Sequence, residues 1–189
     1  MKLTEKRKKS LTAKRTIKIF MESLCGLMME KPFDKVTVSD ICETSMIPRA
    51  TFYNYFEDKY DLLNTYCEEF VKRPSRVVLA EEPSDFSCRS LQKILMVVDE
   101  EHEFLQRIAQ LNEHGVVFQQ MKEAMEQEVL NLYNEGSIPP APIPQELDAK
   151  IIAASVIAVC QWWLSNYEDY TAQDILVFFS NKLTTLKQC

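Results

Sequence analysis

Apolar residues recur along this chain at intervals of three and four, nearly from end to end. Ile17, Phe20, Met21, Leu24, Leu27 and Met28 fall on one stripe of a first helix. Pro32 ends it. Thr37, with Asp40 three residues later, forms a capping box that opens a short second helix, and Ile41 faces the core from it. Pro48 suits the first turn of a third helix reaching about Tyr55. Asp58 caps a fourth, with Asp61 at its third position and Leu62, Leu63, Tyr66 and Phe70 on its apolar side. Pro74 ends or kinks that helix, and residues 83–85 start another carrying Leu91, Ile94, Leu95 and Val98. Phe104 to Leu111 make a short segment, and Gly115 divides it from a long helix with Phe118, Met121, Met125, Val129 and Leu132. Residues 136–144 hold four prolines within six positions and read as a stiff, extended surface linker. Residues 145–166 are apolar on a wide arc. A second capping box, Thr171 with Asp174, opens a last helix carrying Ile175, Leu176, Phe178, Phe179, Leu183 and Leu186. The pattern predicts an all-α protein of about nine helices without internal repeats.

Composition narrows what such a fold can do. The 189 residues allow one domain, or a small module joined to a larger one. Three scattered glycines, Gly26, Gly115 and Gly136, cannot build a glycine-rich nucleotide loop, which excludes Rossmann and P-loop chemistry. The net charge of −6 conceals a division. Residues 1–59 carry 12 Lys/Arg against 8 Asp/Glu, whereas the remainder carries 10 against 20. A basic head on an acidic body points the head at a polyanion. Eight of the basic residues lie in the first 18, and the cluster at 6–9 forms a basic arm (1–9) that suits a minor groove or, equally, a disordered tail. Six cysteines without C-x-x-C spacing read as packed, reduced thiols. The basic start lacks an apolar signal region, and the most apolar run, Ile151 to Cys160, is too short to cross a bilayer, so the expectation is a cytoplasmic chain without membrane contact.

The chemistry concentrates in TVSDICETSMIPRATFYNYFEDKYDLL, residues 37–63. A short helix, a tight turn and a second short helix make a helix-turn-helix. On the third helix Phe52 and Phe56 point to the core. Ala50, Thr51 and Asn54 point the opposite way, with Arg49 and Tyr53 on one flank and Tyr55 on the other. Ala50 lets the helix approach base edges, and Thr51 offers a methyl to thymine or a hydroxyl to phosphate. Asn54 can pair with adenine and Arg49 with guanine. Tyr53, Tyr55 and Lys59 are placed to hold phosphates, and the N–H groups near Thr37 can grip another.

This segment resembles the DNA-binding domain of the TetR family of transcriptional regulators. The match runs through Thr37, Val38, Ile41, Thr51, Phe52, Tyr53, Tyr55, Phe56, Lys59, Leu62 and Leu63, over residues 10–65. Three positions depart from the family pattern: Met46 stands for the usual turn glycine, Pro48 for a serine and Ala50 for a glycine. A methionine in a left-handed turn costs about 1 kcal/mol relative to glycine. The resemblance implies a three-helix DNA-binding domain over 1–57 and a helical ligand-binding and dimerisation domain over 58–189. It also implies a repressor released by a small ligand.

One helix-turn-helix reads half a palindrome, so a homodimer on palindromic double-stranded DNA is expected. The last two helices are the candidate interface, through Ala154, Ala158, Phe178, Phe179 and Leu183. Phe118, Met121, Met125, Tyr133 and Trp162 are candidate linings for a pocket taking a small apolar ligand. Asp99-x-x-His102 is half of a di-iron motif whose second half is missing, so neither metal nor cofactor is expected. No nucleophile–base pair or paired-acid signature stands out, so the chain does not read as an enzyme. The alternative reading is a helical co-regulator that binds another protein through its body and carries a degenerate DNA-binding head.

Overall fold

Ser10 caps the first described helix, its Oγ accepting from the Ala13 N–H at 3.2 Å. The computed structural model describes residues 10–74, 77, 86–111, 115–139 and 142–186, without the side chains of 86–88 and 180–186. The basic arm, residues 83–85 and the side chain of Leu183 therefore lie outside the described residues. The described residues form nine α-helices and no strand, as the apolar periodicity predicts. In chain order these are α1 (Leu11–Glu30), α2 (Val38–Ser45), α3 (Arg49–Tyr55), α4 (Lys59–Val71) and α5 (Phe86–Glu100). They continue as α6 (His102–Leu111), α7 (Val116–Asn134), α8 (Gln145–Ser165) and α9 (Ala172–Leu186), with a single 3-10 turn at Phe33–Lys35.

Two compact units emerge. The first comprises the described residues up to Glu68 together with Arg107–Met121. Its core is aromatic: Phe20 of α1 meets Phe52 edge-to-face at 5.3 Å and Phe56 at 6.0 Å, and all three rings are buried. Leu24, Met28, Phe33, Ile41, Leu62, Leu63 and Cys67 complete it. The boundary expected after residue 57 falls inside this unit, because the early turns of α4 supply Leu62, Leu63 and Cys67 to the same core. The returning segment is tied back by Arg107, whose Nε donates to the Met29 carbonyl at 3.0 Å.

The second unit holds Glu69–Gln106 and the chain from Lys122 onward. Within it α5 packs against both α8 and α9. Trp163 is fully buried, and its indole N–H donates to the Tyr170 carbonyl at 2.8 Å. The end of α8 is held by Gln106, which donates to the Leu164 carbonyl at 2.8 Å. Beyond it the Tyr167 hydroxyl donates to Asp99 at 2.7 Å, and the ring stacks on His102 at 4.1 Å. Asp99 and His102, weighed above as half a metal motif, thus take part in helix packing. The thiols of Cys67 and Cys160 are buried, and desolvation pushes both up to about 12, which keeps them protonated and unreactive.

Candidate nucleic-acid interface

The helix-turn-helix is built from its caps. The Thr37 N–H donates to Asp40 Oδ2 at 2.8 Å, and the Asp40 N–H returns to Thr37 Oγ1 at 3.2 Å, the reciprocal box that starts α2. Lys31 reaches the same carboxylate at 2.8 Å. That ammonium, with the Thr37 donors, holds Asp40 down at about 2, so the box is ionised throughout the neutral range. Thr37 is exposed, but its N–H and hydroxyl oxygen already serve the box.

Met46 ends α2 in the left-handed region at φ 54°, ψ 29°. Its N–H bonds the Glu43 carbonyl at 3.2 Å, and the Ile47 N–H bonds Cys42 at 3.1 Å. The side chain is 93% exposed and contributes nothing to the core. Met46→Gly should therefore stabilise the chain by about 0.5–1 kcal/mol in urea unfolding, with DNA affinity unchanged.

Pro48 occupies the N-cap position of α3 without a side-chain cap bond, so the helix proper starts at Arg49, one residue later than expected. Phe52 and Phe56 are buried as predicted. On the other side Arg49 and Ala50 are exposed, Tyr53 is 51% exposed, and Thr51, Asn54 and Tyr55 are half-buried. The core side matches the 100° spacing, whereas of the residues expected opposite it Ala50 is exposed and Thr51 and Asn54 are half-buried. Arg49 is not loose: its Nη2 donates to Ser39 Oγ on α2.

Lys59 departs from expectation. Its ammonium donates to the carbonyls of Phe33, Asp34 and Val36 at 3.0, 3.0 and 2.9 Å and lies 4.7 Å from the centre of the Phe33 ring. Three donors meet three acceptors, so none is left for phosphate. Its role is to cap the 3-10 turn and fix the approach to α2, and burial draws its pKa below the lysine value. Sequence position cannot distinguish these uses, because both require a cation at the start of α4. Lys59→Met should cost about 2–3 kcal/mol in thermal unfolding, since charged hydrogen bonds are lost together. Any loss of DNA binding should follow the folded fraction.

In the second unit α8 is apolar on two sides. Ala149, Ala153, Cys160 and Leu164 are buried, while Leu147, Ile151, Ala154, Ala158 and Trp162 make an exposed stripe. Trp162 is 49% exposed and lines an open apolar groove with Ala158, Tyr170, Val177, Phe178 and Phe179. That places it beside the candidate dimer residues Ala158, Phe178 and Phe179. The adjacent Trp163 takes the buried direction, because consecutive helical residues point about 100° apart. Phe118 and Met121 are buried in the first unit; Met125 and Tyr133 are half-buried in the second. The Tyr133 hydroxyl donates to Asp148, a bond that holds it up at about 12.

The sequence profile of bacterial regulatory proteins of the tetR family matches residues 22–66, from the middle of α1 through the helix-turn-helix into α4. Residues 22–66 are thus similar to the DNA-binding head of TetR-family regulators. A TetR-family head agrees with the curated relatives. The activator DhaS of the dhaKLM operon of Lactococcus lactis is 33% identical over 96 residues, covering 49% of this chain and 48% of that protein. The uncharacterised HTH-type regulator YxbF of Bacillus subtilis is 30% identical over 89 residues, 44% of this chain and 23% of that one. The aligned stretch thus spans about half or less of these relatives. Among solved structures, a TetR-family regulator from Syntrophomonas wolfei superposes with a TM-score of 0.56 at 21% identity, covering 92% of this chain and 95% of that one. A tetR-family regulator from Shewanella gives 0.59 at 17% identity, covering 87% and 94%. Both share the fold of this chain over most of its length.

Proposed function

We propose that the chain is a dimeric, sequence-specific DNA-binding regulator of transcription that acts in the cytoplasm and has no enzymatic role. The observation that carries this reading is the two-sided α3. Phe52 and Phe56 anchor one side in the aromatic core, and the other side presents Arg49, Ala50 and Tyr53 outward with Asn54 half-buried beside them, next to the boxed start of α2. That arrangement suits insertion into a major groove. Two copies joined through α8 and α9 would present two such helices to a palindrome. A repressor is released when a small apolar ligand binds the arrangement that cannot hold DNA more tightly than the one that can. Activation is the second reading, favoured by the similarity to DhaS, which is named an operon activator.

The test contrasts two variants of the full chain across many duplexes. Tyr53→Phe should weaken binding to all sequences and flatten the salt dependence, as loss of a phosphate contact does. Asn54→Ala should relax preference at one base pair of each half-site, at a cost of about 1–3 kcal/mol. A uniform loss from both variants would contradict the groove-facing assignment.

A further inference from the structure

Ser39 and Arg49 sit on different helices of the helix-turn-helix, yet their side chains meet: the Arg49 guanidinium donates from Nη2 to Ser39 Oγ. Both ends of this contact are anchored. Ser39 lies in the first turn of α2, which the Thr37–Asp40 box and the Lys31 ion pair clamp. Arg49 follows Pro48, whose backbone is fixed at φ −58°, ψ 145° and whose carbonyl accepts from Thr51 at 2.8 Å. The contact sets the guanidinium against the first turn of α2, one turn before Cys42, and the nearby positive charge lowers the Cys42 pKa against the larger upward push of burial.

A guanidinium has five N–H donors in a planar fork. Ser39 takes one and leaves the others for a paired contact with guanine O6 and N7. We infer that Ser39 is a positioning residue that holds the Arg49 side chain in a single reach, so that Arg49 reads one base pair of each half-site. This inference rests on the DNA-binding reading above. Without Ser39 the long arginine side chain samples phosphates and neighbouring bases, and discrimination falls more than affinity.

The experiment uses the full chain: selection of duplexes from a random pool, then binding to single-base-pair variants of the selected site. The proteins are wild type, Ser39→Ala, Ser39→Thr, Arg49→Ala and the double variant. Ser39→Ala should lower preference at the base pair that Arg49→Ala also flattens, by about three- to tenfold, the scale of one hydrogen bond. Other positions and the salt slope should stay as in wild type. Ser39→Thr, which keeps the hydroxyl, should restore the preference, and the double variant should be no worse than Arg49→Ala. A preference unchanged by Ser39→Ala, or a loss at a different base pair or equally on all sequences, would overturn the inference alone. A wild-type chain that selects no sequence would overturn it together with the DNA-binding reading. Thermal unfolding of each variant separates loss of folding from loss of reading.

Discussion

Phe178→Glu is expected to leave a folded chain that sediments as a monomer and holds a palindrome about a hundredfold or more less tightly. The side chain is 59% exposed on α9 and faces the groove shared with Trp162, Tyr170 and Phe179. Only 28% of the most apolar stretch of α8 is buried, although the helix is long and apolar enough by composition to cross a membrane. A surface of that kind calls for a partner. A second copy would supply the symmetric two-helix pair that the geometry of a palindrome requires. Glutamate at the centre of the contact would have to be desolvated without a partner, which disrupts association far more than it disturbs an exposed position of the monomer. Losing the second half-site removes the gain in effective concentration that a dimer enjoys, typically two to four orders of magnitude. Analytical ultracentrifugation and a binding titration on one palindrome read both effects. A dimer that survives the substitution would move the interface elsewhere.

The second large effect lies at Phe52. Phe52→Ala should destabilise the chain by about 3–5 kcal/mol in urea unfolding, the range for deleting a buried aromatic ring. Phe52 is fully buried and sits at 5.3 Å from Phe20 and 5.4 Å from Phe56, so its removal opens a cavity where α1 and α3 meet. The groove-facing side of α3 depends on this anchor. DNA affinity should fall more steeply than the folded fraction alone would predict, because α3 loses the contact that sets its orientation. Phe52→Leu, which keeps much of the volume, should recover most of both losses. An alanine variant with unchanged stability would show that the aromatic cluster does not hold the recognition helix.

Much of this architecture is legible in the residues themselves. The Thr37–Asp40 and Thr171–Asp174 boxes and the Asp58 cap sit where the sequence puts them, because a cap is a local event involving four consecutive residues. The opposed faces of α3 are equally local, since helical rotation alone separates Phe52 from Arg49 and Asn54. What escapes is what depends on residues distant in the chain. Lys59 bonds carbonyls more than twenty positions earlier, and nothing in its neighbourhood tells a turn-capping ammonium from a phosphate-binding one. Ser39 carries no motif of its own, and its meaning comes from Arg49 ten residues away. Trp162 and Trp163 must diverge, but which one is buried depends on Tyr170 and the packing of α5. The boundary between the units was displaced for the same reason: the apolar side of α4 serves the head, and only tertiary contact reveals it.

The central claim is that two copies of this chain read a palindrome through α3. Selection of bound duplexes from a random pool by the purified protein, at near-physiological salt, tests it most directly. The expected result is enrichment of a two-fold symmetric site whose half-sites lie about one helical turn, or a multiple of it, apart. A folded, dimeric protein that enriches no sequence would contradict it.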